Sequence, residues 1–236
     1  MGWSWWQWQT YTYLTKVILL FIKYRLHWIC PVGKIAEMSR WCNGHQPSFW
    51  NRKLKGNFNS MSEKILLWKY IFNCTNCFIY LEFGVYEGNS FRWWCDRVGG
   101  VKLYGFDSFE GLPEKFQNFG HGFLDRGGNV PEIDDDRVCF IKGLYQCTLN
   151  NFIDSTPGLS KKRLVVHMDS DVYSSTLYVL MKLERILRAG DIIIFDEFAH
   201  PNHEYRAFRD FIRATGIKFR VIGATAVYYH VAIEIG

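Results

Sequence analysis

The feature that most constrains this chain is a regular alternation, starting near residue 63, of short apolar or β-branched runs with longer stretches of helical spacing. Alternation of this kind is the pattern of βαβ units, whose parallel strands are buried on both faces and so read as nearly unbroken apolar runs. The runs predict strands at 78–83, 103–107, 138–142, 164–169, 192–196, 219–222 and 227–234, in an α/β protein with a parallel sheet. Two helices carry clear signals. One, over about 175–188, has Ser174, Ser175 or Thr176 to cap its start, Leu177, Leu180, Leu183 and Leu187 as a buried face, and Gly190 beyond its end. Another, over about 203–214, would bury Ala207, Phe208 and Phe211.

A length of 236 residues suits one ordinary core and an appendage. Composition places the boundary near residue 60, with a Trp-rich helical extension at 1–60 and the core domain at 61–236. Trp3, Trp5, Trp6, Trp8, Trp28, Trp41 and Trp50 interleave with Lys and Arg, and residues 1–60 hold eight Lys or Arg against one acid, Glu37. The basic excess is thus confined to the extension; the remainder carries a slight negative balance, which argues against a nucleic-acid partner. Leu14, Val17, Ile18, Phe21 and Ile22 share one helical face beside Lys16, Lys23 and Arg25, a pattern that fits docking or a homodimer contact better than a membrane surface. The apolar run Val17 to Ile22 is far short of the roughly 20 residues that cross a bilayer. The start lacks the charged opening and small-residue cleavage site of a signal peptide. Seven scattered cysteines, with only Cys74 and Cys77 in a C-x-x-C pair, fit reduced thiols and a cytoplasmic setting.

In open parallel sheets ligands bind beyond the carboxyl ends of the strands, so the polar residues that end each run are the candidates for function. The first run leads through Glu82-Phe83-Gly84-Val85-Tyr86-Glu87-Gly88-Asn89-Ser90 into a helix, and glycines there let backbone N–H groups come close to a ligand. The second ends in Asp107, near the roughly 20-residue offset at which an acid binds ribose hydroxyls. The fourth ends in Asp169-Ser170-Asp171 and the fifth in Asp196-Glu197. On neighbouring strands Asp169 and Asp196 would converge on one hard cation, with Glu197 as a further oxygen ligand. His200, His203 and Glu204 open the next helix, and either histidine is a candidate base. The Gly-rich stretch 108–137 is long for a compact domain and reads as a mobile lid.

Four stretches carry a family resemblance: Tyr80-Leu81-Glu82-Phe83-Gly84-Val85-Tyr86-Glu87-Gly88, Phe106-Asp107-Ser108-Phe109-Glu110-Gly111-Leu112-Pro113, Gly143-Leu144-Tyr145-Gln146-Cys147-Thr148-Leu149, and His167-Met168-Asp169-Ser170-Asp171-Val172-Tyr173-Ser174-Ser175-Thr176. They resemble class I S-adenosylmethionine-dependent methyltransferases, specifically the macrocin O-methyltransferase-like family, which modifies sugars of macrolide and aminocoumarin natural products. The resemblance spans about 63–225. It implies a doubly wound, seven-stranded, mostly parallel sheet of Rossmann-like methyltransferase type behind the N-terminal helical extension. It also implies that Glu82, Gly84 and Gly88, with Val85 and Ser90 in the same turn, surround the methionine part of the cofactor. Asp107 would hold the ribose, Ser108 and Phe109 would border the adenine, and Gly143, Tyr145 and Gln146 would close its pocket. A divalent ion, Mg²⁺ or another hard cation, would sit on Asp169, Asp196 and Glu197 and orient the acceptor. Cys147 and Glu197 depart from the family's usual acid and second Asp.

The implied chemistry is methyl transfer from S-adenosylmethionine to a hydroxyl of a small molecule, a sugar or glycosylated natural product, with Asp169, His200 and His203 as catalytic candidates and Asp171 as a further base. Two rivals remain. A nicotinamide-dependent oxidoreductase shares the glycine turn and the ribose acid, but Tyr86 stands where the middle glycine of G-x-G-x-x-G belongs. An inactive nucleoside-binding module with a membrane-surface helix would have no use for the mutual repulsion of so many carboxylates.

Overall fold

The computed structural model describes residues 33–51, 61–156 and 158–236. The anticipated amphipathic helix at residues 14–22 therefore lies outside the described residues. The chain divides into two compact units, Met1–Gly44 and His45–Gly236. Of the first, helix α1 over 33–44 is described.

The second unit is built on strands β1 (Phe49–Trp50), β2 (Phe78–Phe83), β3 (Lys102–Asp107), β4 (Val138–Lys142), β5 (Arg163–Met168), β6 (Ile192–Phe195), β7 (Phe219–Ala224) and β8 (Val231–Ile235). Its helices are α2 (Met61–Cys74), α3 (Asn89–Cys95), α4 (Tyr145–Ser155), α5 (Tyr173–Leu183) and α6 (Glu204–Thr215). The strands form one sheet in the order β1-β7-β8-β6-β5-β2-β3-β4, parallel except where β8 runs against β6 and β7. The sheet thus has eight strands, not seven. The added one is Phe49–Trp50, which pairs with β7 and so brings part of the stretch read as extension into the core.

Chain order reverses at β2, whose neighbours are β3 on one side and β5 on the other. Every residue of β2 is buried, as a strand covered on both faces requires. On one face, Leu67, Trp68 and Ile71 of α2 and Phe91, Trp93 and Trp94 of α3 pack against Tyr80, Val165, Ile192 and Ile194. On the other, Phe152 of α4 meets Phe106 edge-on and Phe83 stacks on Phe106. Burying such side chains stabilises by about 1.5–3 kcal/mol each.

Two boundaries differ from the sequence reading. The last strand was expected at 227–234, but Ala226–Tyr228 form a 3₁₀ turn in which Val227 and Tyr228 take positive φ, and β8 starts only at Val231. The helix expected at 175–188 is α5, ending at Leu183. Its N-cap is Val172; the Ser170 and Thr176 hydroxyls bond each other at 2.9 Å, Thr176 Oγ1 donates back to the Val172 carbonyl, and no side chain caps the helix. Leu180 and Leu183 are buried as expected, Leu177 and Leu187 only half-buried, and Val179 completes the face. In α6, Ala207, Phe208 and Phe211 are buried as the sequence indicated.

Candidate active site

At the carboxyl ends of the strands, across the β2/β5 switch point, lies a cavity of about 530 Å³, within the range that holds small molecules. Its walls come from the turn after β2 (Gly84, Tyr86), the end of β3 (Asp107, Ser108), the long loop after it, Tyr145 of α4, Asp169 to Asp171 after β5, Glu197 after β6, Tyr229, and Lys64 of α2.

One end is built by backbone. Gly84 has φ +98°, and a Cβ there would lie 1.8 Å from the Asp169 carbonyl oxygen, so only glycine lets these two strand ends run so close. Asp107 ties the turn together. Its Oδ2 accepts the N–H groups of Val85 (2.8 Å) and Tyr86 (2.9 Å), and its Oδ1 accepts that of Phe109 (2.8 Å). A carboxylate has about four acceptor positions, so the residue expected to hold a ribose is already the knot of the turn and keeps one position for a ligand.

The loop 108–137, read as a lid, is folded on itself. Leu112 and Phe123 bond through Leu112 N–H to the Phe123 carbonyl (2.9 Å), Gly122 N–H returns to the Leu112 carbonyl (3.0 Å), and Gly128 N–H reaches the Phe109 carbonyl (2.7 Å). It presents Leu112, Phe116, Phe119, Phe123 and Leu124 to the cavity as an apolar wall. The acid run at 134–136 serves structure. Asp135 pairs with Arg137, whose guanidinium also donates to the Cys95 carbonyl (2.8 Å) and to that of Val98.

The other end is built by side chains. Glu82 and His167 come from the adjacent strands β2 and β5, and Asp196 from the turn that follows β6 beside them. Tyr80 Oη donates to Glu82 Oε2 (2.6 Å) and lies 2.9 Å from His167 Nδ1, while His167 Nε2 lies 3.4 Å from Asp196 Oδ1. Burial opposes a charged imidazole here, but the hydrogen bonds and charges of Asp196 and Glu82 outweigh it and push His167 up to about 10. Onto this row comes Lys64 from the first turn of α2, with Nζ ion-paired to Asp196 Oδ2 and 3.9 Å from Asp169 Oδ2. Burial works against this ammonium too, but Asp196 and Asp169 together raise its affinity for the proton.

His167, Asp169 and Asp196 offer ligand atoms within 4.8 Å of one another. The expected cation set thus keeps Asp169 and Asp196 but has His167 where Glu197 was placed. Glu197 turns the other way, with Oε2 3.2 Å from His200 Nε2 and Oε1 accepting from Tyr229 Oη (3.3 Å). Glu204 holds it there by accepting the Glu197 N–H at 2.8 Å. A divalent ion fits the cluster only if Lys64 leaves, since an ammonium is already bonded among the donors.

Of the other expected site residues, Gly84, Asp107, Ser108, Tyr145 and Asp169 line the cavity. Glu82 and Ser90 are buried beneath it, Ser90 Oγ donating to Glu82. Val85 and Phe109 belong to the core. Gly88 takes φ +74° as the N-cap of α3, Gly143 donates to the Asp107 carbonyl (2.9 Å), and Gln146 is exposed. His200 packs against four lining residues, Phe116, Gln117, Glu197 and Tyr229, with its Nε2 also 3.1 Å from Gln117 Nε2 and 3.5 Å from Tyr229 Oη. His203 packs edge-on against Phe116 at 4.8 Å, and burial, with His200 beside it, pushes its imidazole below the usual value. Asp171 lines the cavity at φ +59°, and burial, then Asp169 and Glu197, push its carboxyl up.

Besides His167, the residue that sequence reasoning missed is Lys64. A signal for it exists: Lys64, Leu67, Trp68 and Ile71 fall at i, i+3, i+4 and i+7, so the lysine occupies the buried stripe of its helix.

Residues 128–231 match the macrocin-O-methyltransferase (TylF) family. Over that segment the chain is similar to that family. No curated protein sequence matches it. Similar solved structures include CalS11, a calicheamicin methyltransferase, with a TM-score of 0.53 and 18% identity over 72% of this chain and 76% of that one. Another is the O-methyltransferase NovP, with a TM-score of 0.52 and 20% identity over 73% and 77%. At such identities the likeness is one of fold, and it matches the sheet described above. The family segment covers the loop's end, β4 to β7, Asp169, Asp196, Glu197 and His200, whereas Lys64, Gly84 and Asp107 precede it.

Proposed function

We propose that the protein transfers a methyl group from S-adenosylmethionine to a hydroxyl oxygen of a small molecule, of the class of sugars or glycosylated natural products. The observation that carries this reading is the two-ended cavity at the sheet's switch point, with a glycine turn and an acid at one end and charged side chains at the other, in a chain whose residues 128–231 match this family. The relatives CalS11 and NovP are named as a calicheamicin methyltransferase and an O-methyltransferase, which supports an oxygen acceptor. When bound, the cofactor would supply an electrophilic methyl on a sulfonium.

The chain's own part is placement and charge. Asp107 would offer its remaining acceptor position to the ribose diol, and Gly84 would let the turn's backbone approach the donor. Leu112, Phe116 and Phe123 would exclude water and hold the acceptor, and fixing distance and angle in this way is the main source of rate in a displacement. His200 would take the hydroxyl proton, with Glu197 beneath it as the orienting carboxylate. His203 suits that role less, being held against Phe116. No step is assigned to Mg²⁺, because Lys64 stands among the donors that would hold it. Nor does a dinucleotide suit the turn, where the Tyr86 side chain lines the cavity.

Isothermal titration of S-adenosylmethionine into the full chain tests the reading. We expect saturable heat, weakened by Asp107→Ala; no heat from the unaltered chain would overturn it.

A further inference from the structure

We infer that the Lys64 ammonium is the resident cation of this site, filling the place that the carboxylate cluster would otherwise offer to a divalent ion, so that methyl transfer here runs without metal. The consequence for catalysis rests on the methyl-transfer reading; the claim about the cation does not.

The argument is one of charge and reach. Asp196 is 1% exposed, and Asp169, its side chain 29% exposed, lies beside it. Asp196 above all needs a positive partner, since an uncompensated buried charge costs several kcal/mol, and a second carboxylate beside it adds to that need. His167 supplies one partner from the floor, bonded to Asp196 on one side and set near Glu82 on the other. Lys64 supplies the second from above, bonded to Asp196 and facing Asp169. It is no mobile surface lysine: its side chain is 15% exposed and it shares the buried stripe of α2 with Leu67, Trp68 and Ile71. An ammonium has three donors. Asp196 takes one, Asp169 stands 3.9 Å away as an ion partner, and Lys64 also lines the cavity, so a donor is available to an acceptor oxygen.

In the transfer, the bond from acceptor oxygen to methyl forms as the methyl–sulfur bond breaks, sulfur keeps the electron pair, and the hydroxyl proton passes to His200. Lys64 would hold the oxygen by a charge-assisted hydrogen bond while negative charge builds on it, as a fixed point charge rather than a Lewis acid.

The test uses the full chain and Mn²⁺ as probe, read by electron paramagnetic resonance. The unaltered protein should bind no stoichiometric Mn²⁺, and Lys64→Met, of similar bulk without charge, should gain one site per chain. That site should vanish when Asp169→Asn is added. A structural role for the lysine alone would create no such site. Stoichiometric Mn²⁺ on the unaltered protein, lost with Asp169→Asn, overturns the inference, and so does a folded Lys64→Met that binds none. The arm on the unaltered protein and Asp169→Asn does not use Lys64→Met, so it decides even if that variant does not fold. Once an acceptor is in hand, turnover should be unchanged by chelation. Failure of cofactor binding in calorimetry would strike the methyl-transfer reading and leave the Mn²⁺ result standing.

Discussion

The two ends of the cavity are made by different means. At the Gly84 end the chain uses backbone: three N–H groups gathered on Asp107 and a strand crossing so close that no side chain fits. At the Lys64 end it uses side chains from α2, β2, β5 and the turn after β6, arranged as alternating charges in a largely buried row. The first kind of site is rigid and intolerant of any added atom. The second is held by electrostatic balance, so it tolerates substitutions of shape better than substitutions of charge, and it responds to pH.

This contrast can be broken at either end. The largest effect is expected for Gly84→Ala, where the new methyl must displace the Asp169 carbonyl and adopt positive φ. The loss should be about 4 kcal/mol or more, enough to leave little folded protein, and equilibrium denaturation would measure it. His200→Ala should lower kcat by about 10²-fold or more while the cofactor's Kd stays put. Equal losses in both would mean that His200 shapes the cavity and takes no proton.

The pH response sharpens the comparison. His167 holds its proton in the fold up to about 10 against an ordinary 6.5. Its stabilisation is therefore complete below about 6.5 and is lost as pH rises through 10. Between pH 7 and 9 this group should cost the protein up to about 1.4 kcal/mol per pH step. His167→Gln should flatten that slope in denaturation curves taken across the range, and an unchanged slope would remove His167 as its source. The smallest effect is at the backbone end. Asp107→Asn keeps the shape but weakens charge-assisted bonds worth about 1.5–3 kcal/mol, so cofactor Kd should rise roughly 10- to 100-fold. A Kd unchanged in calorimetry would mean that Asp107 only ties the turn.

Much of the backbone end was legible beforehand because its parts are local. Glu82-Phe83-Gly84 ends a buried strand, Asp107 ends the next, and the pairing of parallel neighbours brings their ends together without further information. Asp169 and Asp196 were legible for the same reason, lying one step beyond the paired Met168 and Phe195. The charge balance was not. Glu197 was expected beside Asp196, but consecutive side chains beyond a strand point to opposite sides, and Glu197 went to His200 and Tyr229. Nothing local marks Lys64 for the site, since Ser62-Glu63-Lys64 suits an exposed first turn as well as a buried one. The loop at 108–137 gave its length but not its internal pairing, which depends on contacts between residues such as Leu112 and Phe123.

By itself the sequence determined the α/β alternation, the strands that carry functional residues and the acids at their ends, because the periodicity of burial and the residues that interrupt it are written locally. Only the tertiary structure decided which positive charge meets those acids. That choice depends on how α2 packs across the sheet and where its first turn comes to rest, a matter of long-range packing that no local pattern encodes.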